Sequence, residues 1–146
     1  MDSKYKQLRD IQDIKNFVFG GNATITLESA KTGKHFTFKV RVAKKDDETS
    51  PFFVSLLNGP DNYANYSYVG VISFDKKIFK LTQKSKVTID ALSYKAFNFF
   101  FTQLVVGKLH EDLRVYHFGK CGRCNRKLTT PTSINLGIGP ECYKKV

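Results

Sequence analysis

All three cysteines of this 146-residue chain lie in its last 26 residues, in the order Cys121-x2-Cys124-x17-Cys142, with His117 four residues before the first. Two thiols two residues apart, a third further on and an imidazole nearby are the ligand types and spacing of a four-coordinate structural zinc site. The segment is too short and too polar to bury a core of its own, so a bound metal is the expected means of folding it. His117, Cys121, Cys124 and Cys142 are the expected ligands of one structural Zn2+; His110 is the alternative to His117, which lies closer to the cysteine pair.

Cys121-Gly122-Arg123-Cys124-Asn125-Arg126 has the form of a zinc knuckle. Gly122 permits the sharp turn that brings two thiolates to one ion, and Asn125 tolerates the left-handed conformation that closes such a loop. In Gly139-Pro140-Glu141-Cys142 the proline suits the first position of a helix and the glutamate suits its dipole. Cys142 then falls in a first helical turn, near N–H groups that favour a thiolate. A knuckle followed by a ligand at a helix start is the layout of a treble-clef-like finger.

Other uses of the cysteines fit less well. Three in a polar tail are unlike the usual small buried hydrophobe. A redox Cys-Gly-x-Cys pair belongs at a helix start within a βαβ unit, and only 22 residues follow Cys124. An odd count leaves one thiol over in a disulfide scaffold, and no signal peptide opens the sequence. With no apolar run approaching a membrane span, the expected location is the cytoplasm, with no membrane partner.

Net charge is +11, from 24 basic and 13 acidic residues. From Leu113 onward, Arg114, Lys120, Arg123, Arg126, Lys127, Lys144 and Lys145 face the single acid Glu141. A field of that sign attracts nucleic acid or an acidic protein surface.

The body reads as α+β. Leu8, Ile11, Ile14 and Val18 space an amphipathic helix over 7–19, ended by Gly20-Gly21. Ala23, Ile25 and Leu27, then Phe36, Phe38, Val40 and Val42, alternate with polar residues as a hairpin turning at Ser29–Gly33. Further strands are expected at 52–57 and 66–74, with short ones at 78–82 and 87–89. In the 66–74 strand, Tyr66, Tyr68, Ile72 and Phe74 share one side, and Val69 and Val71 the other. Asp90 is the expected N-cap of a largely buried helix over 91–106. The expectation is an antiparallel sheet of four to six strands packed with one or two helices (1–109), followed by a zinc-binding module (110–146).

The run from His117 through Cys121-Gly-Arg-Cys124, Pro131, Ser133-Ile134, Gly137 and Gly139-Pro140-Glu-Cys142 resembles a family of small proteins of bacteriophages and other mobile elements that carry a C-terminal domain of unknown function. Phe53 to Asn62 and Tyr66 to Gly70 look like that family's middle section. The resemblance, from about Ala23 onward, implies a phage-type product with a zinc-binding tail and a host-cytoplasm location; it supplies no activity.

No Ser/His/Asp set, phosphate-cradling glycine loop or paired carboxylates stand out, so an enzyme is not expected. The expected function is binding to nucleic acid or a nucleoprotein complex. Candidate contacts in the tail are Arg123, Arg126, Lys127, Lys120, Lys144 and Lys145. Lys39 and Arg41 lie on the hairpin's outward face with His35, and Tyr63 and Tyr66 are rings for stacking on unpaired bases. The alternative is an inhibitor of a host protein, anti-CRISPR-like, acting by protein–protein contact at an acidic or nucleoprotein target.

Overall fold

The computed structural model describes residues 6–58, 65–117, 119–128 and 131–144. In chain order the elements are β1 (Lys6–Leu8), α1 (Ile11–Val18), β2 (Asn22–Ser29), β3 (His35–Val42), β4 (Phe52–Leu57), β5 (Tyr66–Ile72), β6 (Phe79–Lys80), α2 (Leu92–Val106), β7 (Leu113–His117), α3 (Pro131–Leu136) and α4 (Pro140–Tyr143). The strands form one seven-stranded sheet in the order β1-β7-β2-β3-β4-β5-β6. Every neighbouring pair is antiparallel.

The period of two works as the sequence implies. Ala23, Ile25 and Leu27 of β2, Phe38 and Val40 of β3, and Phe52 and Val54 of β4 point to one face and are buried there with Ile14, Phe17 and Val18 of α1 and Phe97, Phe100, Phe101 and Leu104 of α2. Phe97 is the hub, its ring 5.0 Å from Phe38, 4.9 Å from Phe79 and 5.8 Å from Phe100 between centroids. Each fully buried phenylalanine contributes about 1.5–3 kcal/mol by leaving water.

Several elements differ from expectation, each for a local reason. The first helix begins at Ile11 rather than Gln7, because Asp10 caps it by accepting from the Asp13 N–H at 3.0 Å. Lys6–Leu8 instead pair with His117–Val115 as an edge strand. Helix α2 begins at Leu92 with Ala91, not Asp90, at the cap, and no side chain bonds there. Val87–Ile89 form no strand. In β5 the alternation slips. Val54 pairs with Gly70 but Ser55 with Tyr68, so Val69 is an extra residue in a bulge. Val69 and Ile72 consequently share the core while Tyr66, Tyr68 and Val71 face away from it, and Phe74 lies exposed beyond the strand.

β7 lies within the 110–146 segment. β7 pairs with both β1 and β2. The sheet therefore runs to His117, and the tail proper follows it. Among the described residues no helix is long and apolar enough to cross a membrane.

Candidate metal centre and the adjoining groove

After His117 the chain makes a small hairpin, with Lys120 bridged to Lys127, Cys121 N–H bonded to Arg126 O at 2.9 Å and Leu128 N–H to Gly119 O at 2.7 Å. The turn is completed by Asn125 at φ +64°, with its N–H on Cys121 O at 2.9 Å. The left-handed residue of the knuckle is thus Asn125, as its side chain allows. Gly122 is required for a different reason from the one expected. A Cβ there would sit 2.5 Å from Phe17 O and 2.6 Å from the Phe17 ring. Gly137, at φ +75°, meets the same ring at 2.7 Å. The tail lies on α1 through these two glycines and is pinned by Asn22 N–H on Gly122 O and Gly122 N–H on Gly137 O, both 2.9 Å.

Within this frame the ligand atoms of Cys121, Cys124 and Cys142 lie within 4.8 Å of one another. Cys142 is in the first turn of α4, with Pro140 opening that helix. The Arg123 and Gly139 N–H groups reach the Cys121 sulfur at 3.4 and 3.3 Å. Burial pushes the Cys121 thiol up, but the N–H groups of Cys124, Gly139 and Arg123 and the Cys124 thiol outweigh it and leave the group below its ordinary value. Cys142 goes the other way. Burial, hydrogen bonding with Cys124 and Cys121, and the negative charge of both push it up to about 11. Three thiolates at this separation repel unless a cation lies between them. Four-coordinate zinc at about 2.3 Å from each sulfur sets them about 3.8 Å apart, a separation this cluster accommodates. The three cysteines could hold a metal ion.

His117 is not in this group. Its ring is buried, Nε2 lies 2.6 Å from Ile134 O, and Nδ1 accepts from the Gly119 N–H at 3.0 Å. Both nitrogens are thus occupied by backbone, and desolvation holds the imidazole below its usual value, in the neutral form. Short of the expected fourth ligand, it joins β7 to α3 and sits 5.5 Å from the Phe17 ring between centroids. His110 is not in the group either; its Nδ1 accepts from the Asp112 N–H.

Beside the knuckle runs an open groove of about 1540 Å³, walled by α1, the end of β3 and the loop after it, and the 75–77 turn. Lys15, Arg41, Lys45, Lys76, Lys77, Arg123 and Arg126 line it, against Asp46, Asp47, Glu48 and Asp75; Cys124 is also on its wall. Arg123 pairs with Asp46 at 3.8 Å. The groove brings Arg41 of the hairpin together with the two knuckle arginines, which sequence reasoning had treated as separate surfaces. Lys127 is exposed outside it, Lys120 belongs to the small hairpin, and Lys144 pairs with Glu141 at 3.6 Å. Lys39 stands 4.4 Å over the Tyr66 ring. Tyr63 and Lys145 lie outside the described residues. Sequence reasoning missed the outward rings Phe53 and Tyr68. The alternation of β4 signals Phe53, whereas the bulge hides which residues of β5 share its face.

Residues 112–146 match a family of unknown function, DUF6011. No curated protein and no solved structure matches the chain. The matched segment starts just before β7, so the unit shared with that family includes a strand of the sheet together with the whole cysteine cluster.

Proposed function

We propose that Cys121, Cys124 and Cys142 hold one structural zinc ion, and that the metal-fixed knuckle serves a binding protein whose partner is nucleic acid held along the adjoining groove. The observation that carries this reading is the convergence of Arg41, Arg123 and Arg126 on one groove with four lysines. The knuckle backbone is tied at both ends to the body and to its own hairpin, so Arg123 and Arg126 lose little freedom on binding. Thiolate ligands suit zinc, and the N–H groups aimed at Cys121 are the backbone support such a ligand uses. The Arg123–Asp46 pair is exposed on the aspartate side, and a phosphate displaces a carboxylate of that kind at small cost.

The test is a salt titration of oligonucleotide binding. Each phosphate contacted releases counterions that contribute about 0.7–0.9 to the slope of log K against log salt, so changing Arg41, Arg123 and Arg126 together to alanine should flatten the slope by about two to three units. An unchanged slope and affinity in the triple variant would reject the groove as the nucleic-acid site.

A further inference from the structure

Phe53 is 38% exposed in the interior of a sheet, on β4 between β3 and β5. Its ring meets Tyr68 of β5 edge-on, 6.1 Å between centroids. In the β3–β4 register Arg41 is directly opposite Phe53, and Lys39 is opposite Ser55, which in turn faces Tyr68. Neighbouring strands are about 4.8 Å apart and alternate residues about 6.8 Å along a strand, so two cations and two rings occupy one small patch. Tyr66, under the Lys39 ammonium, fixes where that cation stands. The remaining outward residues of β3–β5 are His35, Thr37, Leu57 and Val71, none of them acidic. Arg41 belongs both to this patch and to the groove, so the two surfaces are continuous.

We infer that this outer face is a stacking platform, and that the nucleic acid is single-stranded, its backbone held in the groove and its bases laid on Phe53 and Tyr68. The inference rests on the groove reading above and adds the strandedness of the partner. A duplex presents its phosphates to a cationic groove but keeps its base faces stacked inside; a single strand offers both. Lys39 and Arg41 stand beside the rings, and the acid Glu28 enters this face only opposite His35 at the β2 edge, so the positive charge next to the rings favours a polyanion.

The experiment compares fluorescence-anisotropy binding of an oligothymidylate with that of a duplex of equal length, at one salt concentration. Phe53→Ala and Tyr68→Ala should each weaken oligothymidylate binding about tenfold, within the range that stacked bases contribute, and leave duplex binding unchanged. Phe53→Trp should retain or strengthen single-strand binding, which separates loss of a ring face from loss of fold. If the ring variants bind the single strand as well as the parent, or lose single strand and duplex equally, the platform is refuted. Should the arginine variants still weaken binding in that case, the groove reading stands alone. If the parent protein binds neither probe, the groove reading itself fails, and the platform with it.

Discussion

The body buries Phe17, Phe38, Phe97 and Phe100 in a cluster that spans the sheet and both long helices, whereas among the described residues the tail's buried apolar set is Cys121, Leu128 and Ile138. One is a conventional core, in which shape-matched rings supply the stability. The other is too small to offset the ordering of its own backbone, at about 1–2 kcal/mol per residue. Two things compensate in the tail: a cluster of three thiols suited to one ion, and docking onto the body through Gly122 and Gly137 at Phe17. Local order in the tail is therefore borrowed from a core that belongs to another region, and the thiol cluster offers a metal ion the place to supply the rest.

The largest effect follows from removing the metal's ligands. Chelation of the purified protein, or Cys121→Ser, should abolish hydrogen-exchange protection over 119–144 while β2 to β5 stay protected. Structural zinc supplies about 10–16 kcal/mol in small finger peptides. Metal analysis of the untreated protein should give near one equivalent per chain. Simultaneous loss of protection in the sheet would mean that body and tail form one cooperative unit, and the contrast between them would be void.

Gly122→Ala probes the docking rather than the ion. The added methyl meets the Phe17 carbonyl and ring at 2.5 and 2.6 Å, so either the tail lifts or α1 shifts, at about 1–3 kcal/mol. The expected readout is a lower thermal midpoint with the metal equivalent retained. An unchanged midpoint would show that the tail is held by its metal alone.

The smallest effect is at His117, buried and neutral between Gly119 and Ile134. Its folded value is depressed below the ordinary 6.5 chiefly by burial, so the unfolded chain binds the extra proton first as pH falls. The stabilising contribution is present above about pH 6.5 and is lost as pH drops through the folded value. Urea titrations should show the parent losing stability over that window faster than His117→Gln does. Loss of the metal equivalent in His117→Gln at neutral pH would return this residue to the ligand set.

Much of the body was legible because its signals are local and periodic. Alternation in Ala23–Leu27 and Phe36–Val42 names the hairpin and its core face, and the polar link at 29–33 names its turn. The alternation failed at β5, where one extra residue at Val69 moves Ile72 onto the core side. Nothing in a period of two announces a bulge, since the slip is set by pairing with β4. Gln7 and Leu8 read as helix because Leu8 lies at helical spacing from Ile11; the partner that makes them part of a strand is more than 100 residues away. In the tail the three cysteines came together as their spacing implies. His117 did not join them, because β7 carries it into the body, where two backbone groups satisfy its nitrogens.

By itself, then, the sequence determined the α+β class, the core faces of β2 and β3, and a cysteine cluster able to hold a metal ion, since ligand type, turn-forming residues and short spacings act within a few residues. Tertiary structure alone decided that β7 completes the sheet, that Gly122 and Gly137 seat the tail on Phe17, and that Arg41 shares a groove with Arg123 and Arg126. Those contacts join residues about 80 to 120 positions apart, where chain order imposes no geometry and only packing and hydrogen-bond satisfaction choose the neighbours.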